Sequence, residues 1–339
     1  MSRTRNVAVV GATGAVGRET LRVLEQRGFP VGELRLFASA RSAGSAVPFS
    51  GGQVPVRELA CVVREFEGID LALVSAGGAI SKRVCPVIAA AGAVAIDKSS
   101  AFRMEPDVPL VVPEVNPEAA RRRPRGIIAN PNCATIQIVV AVAPLHRAAR
   151  IRRMVVSTYQ SASGAGEAGR AELEADSRAF LDGRPPVREK FARPLGFNCV
   201  PLIDKVLESG RTFEEQKTVD ETHKILEDDS IQVAPLTVRV PVMVGHAAAL
   251  FLEFERPMDP DKAWAILCQA PGVVVVDEPS VGKVPTPRDA AGTDAVTVGR
   301  IHRDPTVEHG LVMWVAADNL RKGAATNGVQ IAELVAREE

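Results

Sequence analysis

Three features of the 339-residue chain predict its fold class. Short apolar runs alternate with helical stretches over the first 130 residues, a glycine-rich turn follows the first run, and past residue 131 the pattern becomes rich in strands with only two helical stretches between them. Strand–helix alternation favours a parallel sheet covered on both faces, whereas clustered strands favour a mixed or antiparallel sheet with helices on one side. The predicted class is therefore α/β: an N-terminal Rossmann-like doubly wound parallel sheet, then a second α+β domain with a mixed sheet.

In the first region "NVAVVG" reads as a fully buried strand. "AVGRETLRVLEQRG" carries Val16, Leu21 and Leu24 at helical spacing and closes at Gly28. "ELRLFAS", "DLALVSAG" and "AVAIDKSS" are further strands that stop at small polar residues, with "SKRVCPVIAAAG" a helix between the last two. In the second region "RRMVVSTYQ", "PLTVRVPVM", "ALFLEFE", "AVTVGRI" and "LVMWVAAD" read as strands, separated by the helical "EAGRAELEADSRAFLDG" and "FEEQKTVDETHKILED". The closing "NGVQIAELVARE" is an amphipathic helix able to pack back on the first region. The expected divisions are 1–130, 131–318 and 319–339.

Composition narrows the function. Apolar residues are 46% and charged residues 24%, the balance of a globular protein. Forty-one basic residues cancel forty-one acidic ones, so no global field favours nucleic acid or anionic lipid, and "RRRPR" at 121–125 reads as a solvated loop. No apolar run reaches the length of a membrane span, and the basic start leads directly into a strand without a signal region, which predicts a cytoplasmic protein. Cysteines at 61, 85, 133, 199 and 268 are odd in number and widely spaced, which argues against a disulfide framework and against any metal site. Most of them are expected to be buried small hydrophobes.

Two places carry chemistry. "VAVVGATGAVG" sets Gly11, Gly14 and Gly17 between a strand and a helix, where backbone N–H groups and the helix dipole can meet a pyrophosphate; glycine serving turn geometry alone is the competing reading. The second strand runs into "SARSAG" with no carboxylate for a ribose 2′-hydroxyl, while Arg41 and Ser42 are available for a 2′-phosphate. NADP is thus expected over NAD, against the alternative that Arg41 is only a loop arginine. Cys133 opens the helix "CATIQIVVAVAPLHRAA" directly after Pro131 and Asn132. A helix N-terminus stabilises thiolate over thiol, although a buried structural cysteine would read the same locally.

A catalytic thiolate needs a proton-transfer partner. His146 lies over three turns along the Cys133 helix, His223 looks solvent-facing, and His302 and His309 bracket a polar loop. His246 remains, beside Gly245 at a turn between two strong strands, where it could equally be a satisfied strand-end histidine.

With "GATGAVG", "SSAFRMEPDVPLVVPEVN", "ANPNCAT", "STYQSASGAG", "FEEQKTVDETHKI", "VRVPVMVGH" and "DNLRKGAATNGVQIAE" in this order, the chain resembles the aspartate-β-semialdehyde dehydrogenase family along nearly its whole length. The resemblance implies NADPH-dependent reductive dephosphorylation of L-aspartyl-4-phosphate to aspartate semialdehyde, on the route to lysine, threonine, methionine and diaminopimelate. It further implies a homodimer formed through a second domain that is both catalytic and dimerising, with small molecules as the other partners.

By the same resemblance Cys133 matches the nucleophile that forms an acyl-thioester, His246 the general acid/base and Gln160 the residue that orients the acyl group. Arg103 and Lys217 match the phosphate-binding pair, Arg239 the clamp for the α-carboxylate, and Glu214, on the Lys217 face of its helix, the partner of the substrate ammonium. Asn132 joins the substrate-binding set. Gly11, Thr13, Gly14, Ala15, Val16, Arg41, Ser42, Ser163, Gly164 and Asn319 match cofactor contacts.

The chemistry explains these residue types. Phosphate leaves as sulfur attacks, and the resulting thioester accepts hydride where a carboxylate would not. Two cations offset the dianion, and an arginine can grip a carboxylate bidentately. A protonated His246 is expected to donate to the developing alkoxide and to act as base in the reverse direction.

Two departures stand out. Lys98 occupies a place where Asn is expected, and either assists phosphate binding or turns away. Ala247 follows His246 where Ser is frequent, which could remove a hydrogen bond near the base. The nearest rivals are an N-acetylglutamyl-phosphate reductase, against which Glu214 argues, a Cys/His acyl hydrolase and a non-catalytic dinucleotide sensor.

Overall fold

A computed structural model describes residues 4–338. It divides into two compact units, one formed by residues up to Asn132 together with those from Ala324 onward, the other by Cys133–Gly323. No helix among the described residues is long and apolar enough to cross a membrane.

The first unit is built on seven strands: β1 (Arg5–Val10), β2 (Val31–Ala38), β3 (Ala46–Phe49), β4 (Gly52–Glu58), β5 (Leu71–Val74), β6 (Val94–Asp97) and β7 (Ile127–Ala129), ordered β3-β4-β2-β1-β5-β6-β7. All neighbours are parallel except the β3–β4 hairpin at one edge. This hairpin and the short β7 were not legible in sequence, because β3 and β4 are largely exposed and lack a clean apolar run. Strands β1 and β5 are buried almost throughout, as their unbroken apolar runs require.

Helix α1 (Ala15–Gln26) buries Leu21, Val23 and Leu24; helix α2 (Gly78–Ala90) buries Val84, Cys85 and Ile88. Gly11 adopts φ +83°, and a Cβ there would lie 2.6 Å from the Ser75 carbonyl oxygen. A Cβ on Gly17 would lie 2.2 Å from the Gly11 oxygen. Both glycines are thus demanded by the strand-to-helix turn itself.

The second unit starts with α3 (Cys133–Ala149), whose side chains are buried nearly all round, and continues with α4 (Gly166–Leu181), α5 (Phe213–Leu226), α6 (Pro260–Gln269) and α7 (Pro287–Ala290). Its six-stranded sheet contains β8 (Ile151–Gln160), β9 (Gln232–Arg239), β10 (His246–Phe254), β11 (Val273–Val275), β12 (Val296–Asp304) and β13 (Gly310–Ala317), ordered β11-β12-β13-β10-β8-β9. Pairs β8–β9 and β11–β12 are parallel and the rest antiparallel, the expected mixed sheet.

Helix α5 is fixed at its start by a capping box. Thr212 Oγ1 accepts the Glu215 N–H, and Glu215 returns a carboxylate oxygen to the Thr212 N–H. The other Glu215 oxygen accepts the Thr237 N–H, which ties this helix start to β9.

The chain then re-enters the first unit as α8 (Thr326–Arg337), which buries Val329, Ile331, Ala332 and Val335 in the core that also holds Leu21 and Leu24 of α1. Arg27 and Glu333 join the two helices bidentately at 2.6 and 2.8 Å.

Candidate active site

Sheet topology gathers the polar residues of the second unit. Strands β8 and β9 run parallel and end opposite each other at Gln160 and Arg239. Antiparallel β10 begins at that same end with His246, and β13 finishes there, with Ala317 paired to His246. One end of the sheet therefore carries Gln160, Arg239 and His246, and Asn319 lies two residues beyond.

His246 is fully buried, and its ring is held from behind. The backbone N–H of Ser161 donates to Nδ1 at 3.0 Å, with Ser161 Oγ 3.1 Å from the same nitrogen. Because Nδ1 accepts, the proton of the neutral ring sits on Nε2. That nitrogen has no protein partner among the described residues. Ser161 and Ser163 both donate to Asn319 Oδ1, at 3.1 and 2.9 Å, and the Gly245 N–H adds a third donor at 2.9 Å. Gly245 makes the turn possible: its φ is +94°, and a Cβ would lie 2.3 Å from the Pro287 carbonyl oxygen.

Burial, assisted by the Arg239 charge, depresses the His246 imidazole to about 3. The ring is therefore a neutral Nε2–H donor at neutral pH, and the protonated ring expected after hydride transfer would have to form against this burial. The missing serine at Ala247 is of no consequence for the ring. The Ser161 N–H supplies the hydrogen bond to Nδ1, and Ala247 is buried among Ala290, Ala316, Tyr159 and Trp314.

Arg239 donates from its NH1 nitrogen to the Ser161 carbonyl at 2.7 Å. Burial lowers its affinity for its proton, while the nearby charges of Glu214 and Cys133 act the other way. Gly164 lies between the two groups; a Cβ there would come within 2.7 Å of the Arg239 guanidinium and 3.2 Å of His246 Nε2. Gln160 donates to Glu214 at 3.2 Å, and Lys217 donates to the other Glu214 oxygen at 3.0 Å and to Asp204 at 2.9 Å. Burial works against the Lys217 charge, but these two carboxylates outweigh it and hold the ammonium above its usual range. Asp204 and Ser161 were missed in the sequence. Asp204 sits in a loop 13 positions before Lys217 with no spacing signal, whereas Ser161 followed Gln160 directly in a polar run after a strand.

Cys133 is the first residue of α3 and partly exposed. Only Cys85 among the five thiols is buried; Cys61 is intermediate and Cys199 and Cys268 are exposed, contrary to the expectation of mostly buried cysteines. His223 also departs from expectation: it is half-buried, with Nε2 2.7 Å from the Ile231 carbonyl oxygen.

Gly323, inside a single π-helical turn at Arg321–Ala325, backs directly onto Cys133. A Cβ there would lie 2.9 Å from Cys133 Cβ and 3.3 Å from its Cα. Gly323→Ala is therefore expected to displace the thiol and lower kcat by about tenfold or more, with rates measured against an unchanged far-UV spectrum.

The remaining candidates belong to the first unit. Arg103 is buried and donates to the carbonyls of Asn130, at 3.0 Å, and Lys98, at 2.9 Å. Asn130 is itself bonded by Asn327 of α8 at 2.8 Å, so the end of the first unit's chain before Asn132 is anchored. Lys98 turns inward: its ammonium donates to Thr20 Oγ1 at 2.7 Å, and a Cβ on Gly328 would lie 2.8 Å from its Cε.

The turn from Gly11 through Thr13 to Val16 opens α1. Gly14, at φ −74°, differs from its two neighbouring glycines in having only the Gly11 oxygen, at 3.4 Å, near a notional Cβ. Internal packing does not demand a glycine there, and no side chain caps the helix. Open space in front of uncapped N–H groups fits a phosphate of a dinucleotide. Arg41 and Ser42 form a short turn beyond the carboxyl end of β2, with Arg41 exposed.

Comparison with known proteins places these features in a family. The model of the semialdehyde dehydrogenase NAD binding domain matches residues 6–123, and that of the semialdehyde dehydrogenase dimerisation domain matches residues 142–322. The aspartate-semialdehyde dehydrogenase of Aquifex aeolicus is 51% identical over 334 residues, covering 98% of each chain. The crystal structure of aspartate semialdehyde dehydrogenase II complexed with ASA from Vibrio cholerae superposes with a TM-score of 0.95 at 48% identity, covering 99% of each chain. The aspartate semialdehyde dehydrogenase with NADP from Candida albicans superposes with a TM-score of 0.78 at 25% identity, covering 98% of each chain.

Proposed function

The chain belongs to the aspartate-semialdehyde dehydrogenase family, and from that membership we propose that it reduces L-aspartyl-4-phosphate to L-aspartate 4-semialdehyde with NADPH, through an acyl-thioester on Cys133. The product serves lysine, threonine, methionine and diaminopimelate synthesis. The observation that carries the residue roles is the meeting of Gln160, Arg239 and His246 at one sheet end, in the unit that Cys133 opens and with Arg239 within electrostatic reach of the sulfur.

Arg239 takes the substrate α-carboxylate and Glu214 its ammonium. Arg103 and Lys217 take the phosphate, whose charge offsets theirs. Cys133 sulfur attacks the acyl carbon, the C–O bond to phosphate breaks, and phosphate leaves with the electron pair. Gln160 holds the thioester carbonyl in position. NADPH, when held at the Gly11–Val16 turn, would supply the hydride to that carbon. His246 donates Nε2–H to the carbonyl oxygen as negative charge grows on it, and the C–S bond then breaks to return the thiolate. No proton need leave His246 in this direction, which accords with a neutral ring.

Two copies pair through the second unit. The dimerisation-domain match and the exposed Phe180, Leu181, Phe197, Leu236 and Phe251 support this. Five thiols without a disulfide among them suit the reducing cytoplasm.

The test is oxidation of aspartate semialdehyde with NADP: reduction of NADP should require added phosphate. NADP reduction at the same rate without phosphate would exclude the phosphorylating reaction. Arg41→Ala should raise KM for NADP about tenfold, the worth of one charge-assisted phosphate contact, and leave KM for NAD unchanged. Parallel losses with both cofactors would remove Arg41 from the 2′-phosphate.

A further inference from the structure

We propose that the segment 187–196, strapped to helix α4 by two buried carboxylates, forms with Phe191 a wall over Arg239 and sets the enzyme's affinity for the substrate α-carboxylate. The inference rests on the assignment of Arg239 as the carboxylate clamp.

Glu172 and Asp176 lie four residues apart on α4, on the same helical face. Like charges at this spacing repel, and a helix as charged as this would ordinarily turn them to solvent. Both are instead buried, at 5% and 2% exposure. Neither forms an ion pair among the described residues; their partners are backbone N–H groups of one segment. Glu172 accepts from three successive residues, Glu189 at 2.9 Å, Lys190, and Phe191 at 3.1 Å. Asp176 accepts from Val187 at 3.0 Å and Gly196 at 2.6 Å. Five donors thus fix both ends and the middle of the segment, which has no regular secondary structure of its own. Charge-assisted bonds of this kind are among the stronger ones available to a loop.

What the strap positions is Phe191. Its ring packs into the small cluster of Ala162, Leu173, Leu195 and Val200, and a Cβ on Gly169 would lie 3.1 Å from its Cζ. The Arg239 guanidinium carbon lies 5.8 Å from the ring centroid. Arg239 is therefore held from two sides, by the Ser161 carbonyl and by an aromatic face, and it is 7% exposed. The ring keeps water from the guanidinium, fixes its plane and takes up none of its donors, leaving them for a carboxylate. Phe191 is a positioning residue: it acts on substrate through Arg239.

The experiment measures KM for aspartate semialdehyde, KM for phosphate and kcat in the wild type, Phe191→Leu, Phe191→Tyr and Glu172→Gln. Phe191→Leu should raise KM for the semialdehyde about tenfold, the loss of one desolvated cation–π contact, with KM for phosphate and kcat within about twofold of wild type. Phe191→Tyr, which keeps the ring, should restore the wild-type value. Glu172→Gln should loosen the strap, read independently of activity as faster trypsin cleavage after Arg188 and Lys190, and should raise the same KM. A wild-type KM in Phe191→Leu, an equal rise in both KM values with a fall in kcat, or a trypsin-open Glu172→Gln with unchanged KM would each overturn the inference. A wild type inactive on aspartate semialdehyde would instead refute the proposed function, since the trypsin assay needs no turnover.

Discussion

Cys133→Ser is expected to lower kcat for phosphate-dependent oxidation of aspartate semialdehyde by roughly a thousandfold, about 4 kcal/mol of barrier, with the unfolding midpoint unchanged. A hydroxyl at the start of α3 meets the same helix dipole as the thiol, but its proton is held several orders of magnitude more tightly, so the dipole cannot supply an alkoxide. Nor can His246 remove that proton in the observed arrangement. Its Nδ1 is occupied by the Ser161 N–H, and its Nε2 already carries hydrogen. Steady-state rates for wild type and variant check this. Activity within about tenfold of wild type would mean that another group carries the acyl chain.

Lys98→Met is expected to stabilise the first unit by a few kcal/mol at neutral and mildly acidic pH. Lys98 is half-buried, its ammonium donates to Thr20 Oγ1, and burial depresses it from 10.5 to about 7. Between pH 7 and 10.5 the unfolded chain keeps this proton while the folded one has lost it, so wild-type stability climbs as pH rises through that window. Below pH 7 both states are protonated and the full penalty of a buried charge applies. Methionine removes the penalty at similar volume, and the Lys98 backbone bonds to Val74 and Arg103 are kept. Urea unfolding of both proteins at pH 6.5 and 9.5 is the measurement. The stabilising gap should shrink at the higher pH, and a gap that stays constant or widens would show that Lys98 does not titrate in the fold.

Both expected results turn on residues visible in the sequence whose environments were not. "ANPNCAT" already placed a thiol at a helix start, and the structure puts Cys133 there. Lys98 was visible as an unexpected charge with two possible fates, and only packing against Thr20 and Gly328 decided between them. His246 was reached by elimination among five histidines, but its depressed basicity was not legible, because burial and the Arg239 charge come from segments far apart in the chain. The β3–β4 hairpin escaped because an exposed sheet edge need not carry apolar periodicity.

The sequence by itself determined what is local: the alternation that makes two kinds of sheet, the glycines that the first turn requires, and the ordered motifs that mark the family. Tertiary structure alone decided which polar groups face one another. Ser161 behind His246, Asp204 against Lys217 and Phe191 over Arg239 are contacts between segments 13 to 85 residues apart. Side-chain periodicity specifies which face of an element is buried; the partner it finds there depends on strand order and loop path, which no short stretch encodes.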